Sequence, residues 1–193
     1  DLWRRMWAFK DHGKSINAVE NSRESPFHKF DWLHESFGTN GRITELQAAI
    51  GRIQLKKMSE WHNARKSNAE EILNVCKKFP NSIHVPRVHD SLEHAYYKCY
   101  VYILPGGLKK EWPRDRIIEK IMDGGVPCYS GSCSEVYLEK AFDGTGFRPK
   151  ERLPIAKELG ETALMLLVHP TLTKKEIDLT CSVINEVFSI AGK

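Results

Sequence analysis

The stretch Gly38-Thr39-Asn40-Gly41-Arg42-Ile43-Thr44-Glu45-Leu46-Gln47-Ala48-Ala49-Ile50-Gly51 decides how the rest of the chain is read. It opens as a glycine loop. Thr44-x-x-Gln47 then carries a capping-box signature, in which the two side chains satisfy orphan N–H groups at a helix start. Leu46, Ile50, Ile53 and Met58 recur near helical spacing, and Trp61, Ala64, Asn68, Ile72, Val75 and Phe79 carry the pattern on to Pro80-Asn81. The spacing predicts long helical structure over residues 44–80, bridging two parts of a larger protein. Asn40 and Arg42 sit at the mouth of the loop. Backbone amides near a helix start attract anions, and an Asn amide and an Arg guanidinium add donors, so the segment suits a phosphate or a carboxylate. An Asn turn beside a surface Arg satisfies the same spacing.

Working outward toward the N-terminus, Leu2–Phe9 reads as a helix with Leu2, Met6 and Phe9 on one face. Asp11-His12-Gly13 reads as a turn. Residues 14–38 show no clean period and hold Phe27, Phe30, Trp32, Leu33 and Phe37, a long aromatic-rich connection of the kind that usually serves function. Toward the C-terminus the grammar becomes α+β from Ile83 onward. Tyr96–Leu104 is rich in Tyr, Val and Ile and predicts a strand. Pro113 predicts a helix start, and Gly124-Gly125 its stop. Val126–Tyr129 predicts a short strand, Leu153–Leu159 a short helix ended by Gly160, and Leu164–His169 another strand. Thr173-x-x-Glu176 is a second capping box, opening a final helix with Ile177, Cys181, Ile184 and Phe188 on its buried face. No internal repeat is visible.

Composition sets the outer limits. The chain has 193 residues, 41% hydrophobic and 28% charged, which is ordinary for a globular protein. No apolar run approaches the ~20 residues of a membrane span, so no membrane partner is expected. The net charge of +4 is spread over separated Lys pairs such as Lys56-Lys57 and Lys109-Lys110. Without a basic stripe interleaved with stacking aromatics, no nucleic-acid partner is expected. The five cysteines are odd in number and form no Cys-x-x-Cys pair. That points to free thiols in a reducing, cytoplasmic setting. The His residues are dispersed, and no metal site is expected. The chain opens at Asp1 with no initiator Met and no secretory signal, and reads as a truncated or processed chain.

The segment Gly38–Gly51 resembles the G-x-N-x-R-[ML]-[ST]-E-[LM]-Q-A-A string of the DegT/DnrJ/EryC1/StrS family of pyridoxal 5'-phosphate (PLP) dependent aminotransferases. The resemblance continues through Arg4–Gly13, through Tyr96–Leu104 preceded by His94, and through Leu153–Ile184. It covers essentially the whole chain and corresponds to the latter half of a family member. It implies an α/β fold, the C-terminal part of an aspartate-aminotransferase-like structure with an α+β-like small domain whose sheet is packed by helices. The implied organisation is the tail of the large PLP domain and a connecting loop at 1–43, bridging helices at 44–80, and a small C-terminal domain at 81–193. It also implies an obligate homodimer in which Asn40 reaches into the neighbouring subunit's site and binds the PLP phosphate. Arg42 is implied to support that loop or meet an anionic substrate group. His94 and Tyr97 are implied on the substrate side, and Ser132 is a further substrate-side candidate in a stretch that departs from the family.

Three departures stand out. Gly41 replaces an aromatic between Asn40 and Arg42, which predicts a looser loop. Gly125–Glu135 replaces a His-Tyr-x-Pro-type stretch, so that Ser130, Ser132 and Cys133 either face a sugar differently or form a tight glycine turn. The lysine that bonds the cofactor is expected upstream. Lys10 and Lys14 flank a polar turn and read as solvated. The expected activity of the full protein is transfer of an amino group from an amino acid, with glutamate as donor, to a nucleotide-linked keto-sugar in polysaccharide or antigen biosynthesis. The fragment alone is expected to be inactive. Alternatives are a PLP-dependent sugar dehydratase, a non-enzymatic α+β interaction module using Phe27–Phe37, and thiol chemistry at Cys128 and Cys133.

Overall fold

The structure is a computed structural model and describes residues 1–22 and 33–193. Phe27, Phe30 and Trp32 of the aromatic connection lie outside the described residues. The chain divides into two compact units, Asp1–Lys57 and Met58–Lys193. One continuous helix, α3 (Glu45–Cys76), contains the residues at which one unit ends and the next begins.

The first unit contains α1 (Leu2–Lys10), α2 (Ile16–Ser22) and the opening turns of α3. The apolar stripe of α1 forms as expected, yet Leu2, Met6 and Phe9 are all exposed. What holds this unit is backbone laid on backbone. Thr39 N–H donates to Phe9 O at 2.7 Å, Gly41 N–H to Lys10 O at 2.9 Å, and His12 N–H to Thr39 O at 3.1 Å. Gly13 has φ +86, and a Cβ there would lie 1.7 Å from the Ser36 carbonyl oxygen. Only glycine combines that left-handed backbone with so close an approach. The capping box at the start of α3 is present: Thr44 N–H donates to Gln47 Oε1 at 3.0 Å, and Gln47 N–H to Thr44 Oγ1 at 3.2 Å.

The second unit is built on a four-stranded antiparallel sheet. Its strands are β1 (Ile83–His84), β2 (Cys99–Ile103), β3 (Cys128–Tyr129) and β4 (Ala163–Leu166), in the order β1-β2-β4-β3. Alternation along β2 turns Cys99, Val101 and Ile103 into the core and leaves Tyr100 and Tyr102 on the other face. Cys99 pairs with Leu166, which in turn pairs with Cys128, giving one apolar row across three strands. Helices α4 (Arg114–Asp123) and α6 (Lys174–Ala191) add Ile117, Ile121, Ile177, Ile184 and Phe188 to this core. The last turns of α3 add Ala69, Ile72 and Cys76. Asn68 Nδ2 donates to the His169 carbonyl at 3.3 Å, and Lys174 Nζ bonds Glu71 at 2.5 Å. The Thr173–Glu176 capping box opens α6 as the sequence requires.

Several expected boundaries shift by a few residues, and one shifts for a packing reason. The helix predicted to stop before Gly160 is α5 (Pro154–Thr162), which runs through that glycine. A Cβ at residue 160 would lie 2.0 Å from Ser134 Oγ. Gly160 therefore admits a neighbouring loop rather than terminating a helix. No helix among the described residues is long and apolar enough to cross a membrane.

The two halves of α3 predict opposite responses to one substitution. Ile72 is fully buried, whereas Ile50 is 51% exposed. In urea denaturation of this chain, Ile72→Ala is expected to cost about 3 kcal/mol, the usual scale for a core cavity. Ile50→Ala is expected to stay within about 0.5 kcal/mol.

Candidate functional site

Asn40 and Arg42 share the loop between the α1 turn and α3, in the first unit. Asn40 is tied through its backbone, which bridges antiparallel to Asp11. Its side chain is exposed and makes no hydrogen bond among the described residues. Arg42 is differently placed. Its guanidinium pairs with the Asp11 carboxylate, which is only 3% exposed. The Arg42 hydrogen bond holds the Asp11 carboxyl below the usual carboxylate range, against the opposing effect of burial. Asp11 Oδ2 takes Arg42, while Oδ1 has no hydrogen-bond partner and faces Lys14 Nζ at 3.7 Å. Arg42 thus supports the loop. The expectation of looseness at Gly41 is corrected: its N–H is bonded to Lys10 O, and a Cβ there would meet Lys10 Cγ at 3.2 Å. Asp11, read from the sequence only as part of a turn, is the residue that organises this corner.

The other three predicted residues lie in the second unit and line one cleft of about 420 Å³. His94, Tyr97 and Ser132 meet there with Lys98, Tyr100 and Met165. Tyr100 and Met165 are register partners on β2 and β4, on the sheet face away from the buried cysteines, and form the floor. His94 Nδ1 accepts the Tyr96 N–H at 2.9 Å, and the two rings sit 4.3 Å apart. A ring nitrogen that accepts leaves the ring proton on Nε2, where it is available as a donor. Tyr96 has φ +44, a conformation that bulky residues rarely adopt. The contact with His94 holds this turn and presents Tyr97, which is 79% exposed, on the cleft rim. Lys98 Nζ lies 5.4 Å from the centre of the Tyr97 ring.

Ser132 also lines a second cleft of about 370 Å³, with Ser130, Ser134, Glu135 and Glu139. The loop between them is a glycine turn, with Gly131 at φ +90. A Cβ at residue 131 would lie 2.7 Å from Tyr100 Cε1. Behind the loop, buried Glu135 accepts from Arg152 Nε at 2.9 Å and from Tyr137 Oη at 2.6 Å, and a second Arg152 nitrogen completes the fork. Arg148 donates to the carbonyls of Tyr137, Leu138 and Glu139. The spacing of Glu135 and Arg152 gave no sign of this pair.

The thiol alternative loses its basis in these surroundings. Burial pushes the Cys128 thiol up to about 12, away from the thiolate that nucleophilic chemistry needs. Cys133 is exposed, and Cys128 is buried in the sheet.

A long helix opened by a glycine loop, and a small antiparallel sheet packed by helices, are the elements of an aminotransferase-like α/β architecture. The chain matches the DegT/DnrJ/EryC1/StrS aminotransferase family over residues 1–185, and it belongs to that family. It is similar to the aminotransferase from Psychrobacter cryohalolentis, with 57% identity and a TM-score of 0.88 over 97% of this chain and 49% of that one. It is 28% identical over 150 residues to the erythromycin biosynthesis sensory transduction protein EryC1 of Saccharopolyspora erythraea, covering 78% of this chain and 38% of that protein. It is 26% identical over 189 residues to the GDP-perosamine synthase of Escherichia coli O157:H7, covering 97% of this chain and 45% of that protein. The chain thus spans less than half the length of these two curated relatives.

The Glu135–Arg152 pair makes a pH prediction. The Arg152 hydrogen bond first, and that of Tyr137 second, pull the Glu135 carboxyl from its ordinary 4.5 to about 2. A folded value below the unfolded one stabilises fully above the unfolded value and is lost as pH falls through the folded one. Melting temperature is therefore expected to drop between pH 4.5 and about 2. Glu135→Gln is expected to melt lower at pH 7 and to show a shallower drop across that window. Parallel curves for the two proteins would contradict the assignment.

Proposed function

We propose that the whole protein moves an amino group from an amino acid, with glutamate as the expected donor, to a keto-sugar carried on a nucleotide. On this reading it works in the cytoplasm as a homodimer with PLP, in polysaccharide or antigen biosynthesis. The observation that carries the reading is Asn40. Its loop is fixed by backbone bonds to the α1 turn and by Asp11–Arg42, while its own amide is left free. A held loop with a free amide donor suits a phosphate oxygen, and the nearby Arg42 side chain remains 53% exposed.

When bound, PLP supplies the electron sink for chemistry at the amine-bearing carbon. The residues of this chain hold and orient. Asn40 donates to the cofactor's phosphate, across the two-fold axis. Asp11 keeps Arg42, and with it the loop, in place. His94, Tyr97 and Ser132 receive the nucleotide-sugar, His94 through its Nε2–H. The homodimer draws support from α3, whose first turns expose Leu46, Ile50 and Ile53 at helical spacing. A contiguous bare apolar stripe of this kind marks a surface that is covered in the assembly.

The test uses the full-length enzyme with glutamate and a panel of nucleotide keto-sugars, following 2-oxoglutarate. Sustained release is expected only when both substrates are present, glutamate alone giving no more than one equivalent per bound cofactor, and absence of turnover with every sugar contradicts the reading. Asn40→Ala is expected to weaken PLP retention by at least about tenfold, the scale of one hydrogen bond to a charged group. Its melting temperature without PLP is expected to match the parent.

A further inference from the structure

The two clefts of the second unit are neighbours with different chemistry. They share Gly131 and Ser132 as a common wall. On the first side stand Lys98 and the exposed ring of Tyr97. On the second stand the hydroxyls of Ser130, Ser132 and Ser134 with the carboxylates of Glu135 and Glu139. Arg152 neutralises Glu135, which leaves the Glu139 carboxylate on that side without an ion pair among the described residues. A dianionic group is attracted to Lys98 in the first cleft; in the second it meets the Glu139 carboxylate and no free cation among the described residues, whereas a neutral, hydroxyl-rich group finds both donors and acceptors there.

We infer that the paired clefts divide a nucleotide-sugar between them: Lys98 and Tyr97 take the nucleoside diphosphate end, and the serine loop at 130–134 takes the hydroxyl-bearing sugar. This rests on the nucleotide-sugar reading above and adds the division of labour. Three constraints make the loop a preformed reader rather than a slack connection. Gly131 lies against the Tyr100 ring, with the position of a Cβ 3.1 Å from its hydroxyl. The Ser134 side chain lies in the space that a side chain at Gly160 would need. Glu135 anchors the far end through Arg152 and Tyr137. A recognition loop held at three points loses little freedom on binding. On the opposite side, the left-handed backbone at Tyr96, bonded to His94, sets Tyr97 outward. An exposed aromatic platform beside a lysine suits a base joined to phosphates.

The experiment is calorimetric titration of the full-length enzyme with dTDP, GDP and UDP, and with the uncharged nucleosides as controls. Lys98→Ala is expected to weaken the best-bound diphosphate by about tenfold, or ~1.4 kcal/mol, without changing nucleoside binding. Lys98→Arg is expected to restore most of the loss, which separates charge from misfolding. A Ser132→Ala/Ser134→Ala double variant is expected to leave diphosphate binding within about twofold while raising the KM for the nucleotide-sugar by about fivefold, as lost hydrogen bonds do. Unchanged diphosphate binding in Lys98→Ala, or equal weakening by the serine variant, overturns the division. So does an enzyme that binds none of the three diphosphates. Lys98-dependent diphosphate binding by an enzyme that releases no 2-oxoglutarate with any sugar overturns the amino-transfer reading instead and leaves the division standing.

Discussion

A nearly buried carboxylate governs the corner that carries Asn40. Asp11 closes the turn after α1, and burial alone would make its charge costly. Arg42 supplies the countercharge from the next segment of chain, and the backbone bonds between residues 9–12 and 39–41 fix how the two segments lie. The pair and the backbone ladder depend on each other. Without Gly13 and Gly38 the two backbones could not approach, and without that approach Arg42 would not reach Asp11. Asn40 stands between the partners in sequence and is their beneficiary, since its side chain has no structural duty left. A position freed in this way suits the ligand-binding amide proposed for it.

The second unit solves a related problem by other means. Its sheet has one face filled with Cys99, Val101, Leu164 and Leu166, and the residues between them in sequence turn to the opposite face. That second face would be an ordinary solvated surface if the connections around it were slack. They are not. The Tyr96 turn and the Glu135–Arg152 fork both spend favourable contacts on holding loops in unusual places. Strain and buried ion pairs of this sort gather where geometry matters more than stability.

The sequence exposed most of the architecture because the architecture is built from local rules. Both capping boxes form as spelled, since Thr44–Gln47 and Thr173–Glu176 need only their own four residues. The β2 strand and the buried face of α6 follow from spacing alone. What escaped was non-local. Gly160 looked like a helix stop because its true neighbour, Ser134, lies 26 positions away in sequence. Asp11 looked like a turn residue because Arg42 is 31 positions downstream. The site was visible in the same proportion. Asn40 was readable from a contiguous string, and His94, Tyr97 and Ser132 do gather in one cleft. Lys98 was not singled out, because its meaning comes from what lies across the sheet.

The helix α3 explains why one half of the chain is quiet and the other bare. A helix of 32 residues is about 48 Å long at 1.5 Å per residue. Apolar residues recur at helical spacing near both ends, yet burial is confined to the last turns, at Ala69, Ile72 and Cys76. Propensity does not distinguish the halves; packing does. Leu46, Ile50 and Ile53 keep the spacing of a core face with no core among the described residues to meet it. An apolar stripe that keeps phase without a partner among the described residues calls for a surface beyond them. The two-fold neighbour of the proposed assembly would supply such a surface, on the same reading that sends Asn40 across the axis.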